Sequence, residues 1–135
     1  MFLEKLNCVL LVDDDKVTNF LTERLIKKLD ICDNIRISHN GEEALLYLAQ
    51  HCCNFDAHNF PDLILLDNNM PEMNGIEFLE TINEININPA NRIKIVLLTT
   101  TQNEDLNVKI KNLGVEATLI KPLTEQKLKE VLLSQ

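Results

Sequence analysis

The chain has 135 residues, a length that suits one domain with a single substantial hydrophobic core. Its formal net charge of −8 argues against a nonspecific nucleic-acid binder, which needs a basic surface. The apolar runs are far shorter than the ~20 residues of a membrane-spanning helix, and residues 1–5 lack the apolar core of a signal peptide. We therefore expect a single cytoplasmic domain over residues 1–135.

Short apolar runs alternate with amphipathic segments along the whole chain, which predicts a parallel β-sheet covered by helices. Right-handed crossovers place the helices on both faces of such a sheet. We predict an α/β fold, a flavodoxin-like three-layer sandwich with five helices and five parallel strands in the order 2-1-3-4-5. The predicted strands cover about residues 7–12, 34–38, 62–66, 93–98 and 117–120.

Apolar residues at helical spacing predict a helix after each strand. The first helix, at about residues 16–29, carries Val17, Phe20 and Leu21 in such a pattern. The fourth is the weakest pattern of the five. The predicted capping residues are Asn40 for the second helix, with Glu43 at capping-box spacing, Gly114 as the C′ residue of the fourth and Thr124 as the N-cap of the fifth.

Four predicted strands carry polar residues at their carboxyl ends, the edge where ligands bind in open α/β sheets. These residues are the aspartates 13–15, Asp67, Thr99 and Lys121. Because the first and third strands are neighbours, their carboxylates would lie close together. Two like charges ~4 Å apart repel by roughly 4 kcal/mol at an effective dielectric constant near 20. Oxygen ligands without thiolate or imidazole favour a hard cation such as Mg²⁺, Mn²⁺ or Ca²⁺.

Some of these residues also have a structural interpretation. Asp15 suits the N-terminus of a helix, where negative charge is favourable. Thr99 fits the β-propensity of threonine, and Lys121 fits an ordinary surface lysine. Helix capping does not explain Asp67, which lies on another strand. The sequence therefore predicts a site for a divalent cation and a phosphoryl group.

A polar loop offers a second, weaker candidate for a metal site. Cys52 and Cys53 lie between His51 and His58. Their thiol and imidazole groups together could form a site for a soft metal. No CxxC pair is present, and adjacent cysteines rarely ligate one tetrahedral ion without a second pair. A loop with free thiols is the simpler interpretation.

The ordered set of motifs resembles the response-regulator receiver domain of two-component signalling, and in particular its single-domain chemotaxis-type members. The matching stretches follow the family order and spacing, and the resemblance covers essentially the whole chain. It implies a receiver domain over residues 1–135 without an output domain. The stretches are residues 9–15, 62–75 (DLILLDNNMPEMNG), 95–99 and 119–122.

The resemblance implies a role for each polar residue at the sheet edge. Asp67 matches the aspartate that accepts the phosphoryl group, Thr99 the switch hydroxyl, and Lys121 the lysine that contacts the phosphoryl group. The bond between Lys121 and Pro122 is expected to be cis. The implied ligands of Mg²⁺ are Asp14 directly, Asp13 largely through water, Asp67, and the backbone carbonyl of Asn69.

The implied function is Mg²⁺-dependent phosphoryl transfer to Asp67 from a sensor histidine kinase or a phosphotransfer protein. Such a chain is a signalling phosphoacceptor rather than an enzyme, and it acts on an unidentified downstream protein without direct contact with DNA or membrane. The family's inward-turning aromatic residue lies three positions before the lysine, where this chain has Thr118. A smaller rearrangement, or one centred on Thr99, is therefore expected.

Three other interpretations fit part of the sequence. Asp13, Asp15 and Val17 match the opening DxDxV motif of haloacid-dehalogenase-type phosphohydrolases with Asp13 as nucleophile, but Asp67 then has no role and no acidic motif follows Lys121. A flavin-binding module needs a hydroxyl- or glycine-rich loop after the first strand, where this chain is acidic. The third is a receiver-like binding module that no longer accepts phosphate.

Overall fold

The computed structural model describes residues 5–52, 59–87, 92–101 and 104–133. Strands and helices alternate through these residues, as the apolar patterns predict. In chain order the elements are β1 Val9–Val12, α1 Lys16–Lys28, β2 Ile35–Ser38, α2 Gly41–Cys52, β3 Leu63–Asp67, α3 Gly75–Ile85, β4 Lys94–Thr99, α4 Glu104–Ile110, β5 Ala117–Ile120 and α5 Glu125–Leu133.

The five strands form one parallel sheet in the order β2-β1-β3-β4-β5, which confirms the predicted fold. Val12, the last residue of β1, pairs with Leu66, the residue before the end of β3. Asp67 in turn pairs with Leu98 of β4. The neighbouring strands thus end at nearly the same level, and the residues at their ends meet at one edge.

The sheet separates two apolar layers because successive side chains of a strand point to opposite faces. Leu10 and Val12 belong to the layer that includes Phe78 of α3. Val9 and Leu11 belong to the layer that includes Ile26 of α1. The four residues of β1 are almost fully buried, as expected for a strand covered on both faces.

Two strands extend one residue beyond the prediction, and both differences affect the site. Asp67 and Thr99 are the last residues of β3 and β4 rather than the first residues after them, so the ladder holds their backbones. At the other end, β1 begins at Val9 and not at residue 7. The Asn7 N–H leaves the ladder and donates to Asp62 Oδ2 at 2.6 Å.

Both predicted N-caps are confirmed. Asn40 Oδ1 accepts from the Glu43 N–H at 2.8 Å, and Thr124 Oγ1 accepts from the Lys127 N–H at 3.2 Å. A capping box would also require the Glu43 carboxylate to accept from the N–H of Asn40. It accepts instead from the N–H of His39, the preceding residue, at 3.2 Å.

The fourth helix ends earlier than the C-cap prediction requires. α4 ends at Ile110 and a turn over residues 111–114 follows, in which the Leu113 N–H donates to the Ile110 carbonyl at 3.0 Å. Gly114 is therefore not the C′ residue of α4, although its φ of 76° requires the freedom of glycine. Leu106, in the first turn, is the buried residue of this helix, and Ile110 at its end is half-buried against the same apolar layer.

The first helix departs furthest from its sequence pattern. Its polar residues Asn19 and Thr22 are buried, and Asn19 Nδ2 donates to the backbone carbonyl of Asp13 at 2.9 Å. Because the helix turns this face toward the sheet, part of the apolar pattern faces outward. Three apolar side chains, which we call the α1 apolar surface, are more than half exposed: Val17, Phe20 and Leu21.

Two further expectations concern the membrane and the soft-metal site. No helix within the described residues is long and apolar enough to cross a membrane. Cys53 and His58, two of the four proposed soft ligands, lie outside the described residues.

Candidate functional site

The carboxyl edge of the sheet brings together residues that are far apart in the chain. One carboxylate oxygen from each of Asp13, Asp14 and Asp67 lies within 4.8 Å of the others. Lys121 Nζ is 3.2 Å from Asp13 Oδ2 and 3.0 Å from Asp67 Oδ1. The Lys121–Pro122 bond is cis, as expected. The predicted proximity of the acidic residues and the lysine is confirmed.

The site is strongly negative and partly shielded from water. Asp13 and Asp67 are only 4% and 2% exposed, while Asp14 is exposed to solvent. Three carboxylates and one ammonium leave two negative charges unbalanced when all four groups are ionised. Buried charge of one sign is costly, so the site favours an additional positive charge.

The ionisation of Asp13 and Lys121 reflects this environment. Burial raises the pKa of the Asp13 carboxyl, and the charge of Asp67 raises it further. The hydrogen bond from the Asp15 N–H and the charge of Lys121 lower this pKa, but the net effect is an increase. Burial alone would lower the pKa of Lys121, but its contacts with Asp67 and Asp13 outweigh this effect and raise the pKa. Lys121 therefore stays charged at neutral pH.

The carboxylates have the chemistry of a site for a hard divalent cation. All the donor atoms are oxygens, from residues of two adjacent strand ends, and their spacing allows one ion to contact several of them. Asp15 is not part of this group. Its carboxylate accepts from the Val17 N–H at 3.0 Å and from the Thr18 hydroxyl at 2.7 Å, so Asp15 is the N-cap of α1. This agrees with its structural interpretation as a negative charge at a helix N-terminus.

Thr99 and Asn69 border the carboxylates. The Thr99 hydroxyl donates to the backbone carbonyl of Thr101 at 2.8 Å, so its proton is engaged within its own loop. The Asn69 N–H donates to Asp67 Oδ1 at 3.1 Å, and Asn69 Nδ2 donates to Thr100 Oγ1 at 3.3 Å. Asn69 thus orients the Asp67 carboxylate and links the loops that follow β3 and β4.

Sequence reasoning missed two asparagines that support the site. Asn19 holds the backbone of Asp13, and the signal was a polar residue within the apolar pattern of α1. Asn74 caps α3 in a capping box with Glu77, a spacing that can be seen in the sequence. This box begins α3 directly after the loop that carries Asn69.

A glycine keeps the same loop close to the sheet. A Cβ on Gly75 would lie 2.9 Å from Leu97 Cδ1 and 3.0 Å from Asn68 Cα, too close for any larger residue without movement. Asn68 Oδ1 beside it is a buried oxygen for which the described residues provide no hydrogen-bond partner.

A parallel 2-1-3-4-5 sheet with aspartates, threonine and lysine at its carboxyl edge is the arrangement of a receiver domain. The chain belongs to this family: the model of the response regulator receiver domain matches residues 9–133. The family works in two-component signalling, so the class inferred from the motifs is confirmed.

Two curated proteins show the relationship at the sequence level. Response regulator Rcp1 of Synechocystis is 38% identical over 98 residues, which cover 72% of this chain and 64% of Rcp1. The transcriptional regulatory protein CpxR of Escherichia coli K12 is 31% identical over 123 residues, 91% of this chain and 46% of CpxR. The chain spans less than two thirds of either relative.

Solved structures show the same fold. A two-component response regulator from Cytophaga hutchinsonii has a TM-score of 0.84 with 26% identity, covering 98% of this chain and 100% of that one. The chemotaxis protein CheY4 of Vibrio cholerae has a TM-score of 0.73 with 25% identity, covering 94% and 96%. The Mn²⁺-bound form of Rcp1 has a TM-score of 0.70 with 33% identity, covering 93% and 88%.

Proposed function

We propose that this chain is a phosphoryl-accepting response regulator of a two-component or phosphorelay system, in which Asp67 accepts the phosphoryl group. The donor is a phosphohistidine on a sensor histidine kinase or a phosphotransfer protein. The observation that carries the proposal is the position of Asp67 at the end of β3, 3.0 Å from the Lys121 ammonium and beside Asp13 and Asp14.

The chain's own residues can perform the transfer by position and charge. Asp67 Oδ1 already accepts a hydrogen bond from the Asn69 N–H and forms an ion pair with the Lys121 ammonium. We therefore assign the attack on phosphorus to Oδ2. As the new P–O bond forms, the P–N bond to the donor histidine breaks and the imidazole keeps the electron pair. Lys121 neutralises charge on the phosphoryl oxygens. Later attack of water on phosphorus breaks the P–O bond to Asp67, which releases inorganic phosphate and restores the carboxylate.

The residues that would hold Mg²⁺ are Asp13, Asp14, Asp67 and the carbonyl of Asn69. When bound, the ion neutralises charge on the transferred group and helps to align it. This assignment is supported by the oxygen-only donor set and its net negative charge.

Mg²⁺ is expected to stabilise the protein through this site. At a free concentration 100 times Kd, binding to the folded state alone adds about 2.7 kcal/mol to the free energy of unfolding, which for a chain of this size raises Tm by about 10 °C. Asp14→Asn should lose most of this gain, and it should not destabilise the metal-free protein because it removes repulsion. Thermal denaturation with EDTA and with Mg²⁺ tests this, with Glu42→Gln on α2 as control. Equal Mg²⁺ stabilisation of wild type and Asp14→Asn would contradict the metal site.

Thr99 is the residue through which we propose that phosphorylation changes the structure. A phosphoryl group adds acceptor oxygens and a charge of about −1.5 to −2, which compete with the Thr101 carbonyl for the Thr99 hydroxyl. A change of partner would pull the loop after β4 toward Asp67. Thr118, at the family's aromatic position, is half-buried in β5 opposite Leu97. The switch we propose is therefore local to Thr99 and its loop.

The α1 apolar surface is where we place the phosphohistidine-bearing partner. Leu21 also lines a groove of about 600 Å³ between α1 and the loop that carries Lys121, so this surface is continuous with the site. Exposed large apolar side chains grouped beside a reactive site are typical of a protein-binding surface.

Phe20→Ser is expected to slow phosphoryl transfer from the partner kinase by about 10-fold, because truncating a central aromatic contact typically costs more than 1 kcal/mol. Transfer from acetyl phosphate should be unchanged, since a small donor does not need this surface. Leu46→Ser, an equally exposed apolar residue on α2, is the control for both donors. Equal kinase rates for Phe20→Ser and Leu46→Ser would rule out this docking surface.

The proposal is tested by incubating the protein with Mg²⁺ and acetyl phosphate and locating the modified residue by mass spectrometry. Modification of Asp67 is the expected result. Modification of Asp13 would favour the dehalogenase-type phosphohydrolase, although both Asp13 oxygens already accept hydrogen bonds, from the Asp15 N–H and from Lys121. An unmodified protein, with a saturating donor and with the kinase, would favour the phosphorylation-inert binding module.

We also propose that the chain acts in the cytoplasm and has only self-directed chemistry, namely its own phosphorylation and dephosphorylation. Cys8 and Cys32, two of the described cysteines, are free thiols, as is usual in a reducing compartment. Its output is the binding of another protein rather than of DNA, in keeping with its net charge of −8.

A further inference from the structure

Lys121 lies on a short segment between β5 and α5 that is anchored from several sides. The backbone N–H of Lys121 donates to the Thr99 carbonyl at 2.8 Å, which continues the pairing of β5 with β4. Its ammonium reaches Asp13 and Asp67 at the other end of the side chain. The direction of the Lys121 backbone therefore determines whether the ammonium reaches both carboxylates.

A second lysine holds the residues on either side of Lys121. Lys127 Nζ donates to the Ile120 carbonyl at 2.6 Å and to the Pro122 carbonyl at 3.2 Å. Lys127 is half-buried, and its own N–H is fixed by Thr124 Oγ1 at 3.2 Å. One ammonium thus bridges the two carbonyls that flank Lys121.

The position of Lys127 in its helix is unusual for a surface lysine. It lies in the first turn of α5, three residues after the N-cap Thr124, where the helix dipole disfavours positive charge. Two backbone carbonyls offset this cost, because hydrogen bonds from charged donors are stronger than neutral ones. Lys129, two residues later, instead forms an exposed ion pair with Glu125 at 3.6 Å.

We propose that Lys127 is a positioning residue for Lys121, an inference that rests on the proposed function of Asp67 as phosphoacceptor. By holding the carbonyls of Ile120 and Pro122, Lys127 prevents the segment from rotating. The Lys121 ammonium then stays at the carboxylates before the donor arrives. Lys127 itself does not touch the reacting group and acts only through Lys121.

The first test compares three variants in the acetyl phosphate reaction with Mg²⁺. Lys127→Met keeps the length of the side chain but removes the donors, and it should lower the maximal rate of Asp67 phosphorylation about 10-fold with little change in KM, because loss of alignment slows the chemical step. Lys129→Met removes the same charge from the same helix and should keep the wild-type rate. Lys127→Arg retains donors to both carbonyls and should recover most of the rate.

A double-mutant cycle asks whether Lys127 acts through Lys121. In a Lys121→Met background, Lys127→Met should have no further effect on the rate. A full additional 10-fold loss would show that Lys127 acts by another route and would overturn the proposal. A wild-type rate in the single variant Lys127→Met would do the same.

Amide hydrogen exchange provides a readout that does not depend on phosphorylation. The Lys121 N–H should exchange faster in Lys127→Met but not in Lys129→Met, while the amides of β1 and β3 keep their wild-type protection. Unchanged exchange at Lys121 would overturn the proposal even if the rate falls. If the wild-type protein were never modified at Asp67, the proposed function would fail, and the positioning proposal with it, whatever the exchange shows.

Discussion

Asp67→Asn is expected to abolish phosphorylation by both acetyl phosphate and the partner kinase. The amide has the shape of the carboxylate and can still accept the Asn69 N–H at Oδ1, but it is not a nucleophile for phosphorus. We expect the rate to fall by at least about 10³-fold, to the limit of detection. Intact-mass spectrometry after incubation with Mg²⁺ and donor measures this directly.

The same substitution should leave the fold intact. Asp67 is 2% exposed and lies beside Asp13, so replacing its charge removes repulsion from a buried site at the cost of its contact with Lys121. Thermal denaturation should show a cooperative transition near that of wild type. Asp33→Asn, a surface aspartate 83% exposed at its side chain, should be phosphorylated normally. Full modification of Asp67→Asn would mean that another residue is the acceptor.

Lys121→Met is expected to have the second-largest effect on phosphorylation, a loss of about 10²-fold. The ammonium lies 3.0 Å from Asp67 Oδ1, where it can neutralise charge on an incoming phosphoryl group. Removing one preorganised hydrogen-bond donor from a site that stabilises developing charge typically costs about 10²–10³-fold in rate. The measurement is the rate of Asp67 modification at saturating Mg²⁺ and acetyl phosphate.

Lys121→Met should also destabilise the protein, and Mg²⁺ should reverse part of the loss. Without the ammonium, the buried carboxylates of Asp13 and Asp67 face each other, and breaking a buried ion pair costs about 3 kcal/mol. A divalent cation replaces the missing positive charge.

Urea denaturation in EDTA and in Mg²⁺ gives the two free energies of unfolding. Lys28→Met, which breaks an exposed ion pair with Glu125 at 3.2 Å, should change stability by less than about 1 kcal/mol. Equal stability of Lys121→Met and wild type in EDTA would contradict this view of the site.

Much of the site was predictable because a parallel sheet aligns the carboxyl ends of its strands. Asp13, Asp67 and Lys121 each follow or end an apolar run, and this pattern alone places them at one edge. The distances of 3.0 and 3.2 Å from Lys121 to the two carboxylates confirm that they meet. The resemblance to receiver domains added roles to these residues, and the membership of the chain in that family is now established.

The strand ends and the fourth helix were harder to predict. The ladder carries β3 and β4 one residue further, to Asp67 and Thr99, because pairing with neighbouring strands continues after the apolar run has ended. α4 ends at Ile110, where a turn closed by the Leu113 N–H and the Ile110 carbonyl follows. The apolar pattern continues through Leu113, so it does not mark this end. Local propensity does not reveal the strand ends either, since they depend on pairing with neighbours that are distant in the chain.

The sequence by itself determined the order of strands and helices, the two apolar layers and the set of acidic and basic residues at the sheet edge, because these depend on periodicity and on the ends of apolar runs. Only the tertiary structure decided which face of α1 is exposed, which carbonyl engages the Thr99 hydroxyl and which residues Lys127 holds. The physical reason is that each of these depends on individual hydrogen bonds across a loop or between elements. A periodic pattern carries no information about such bonds.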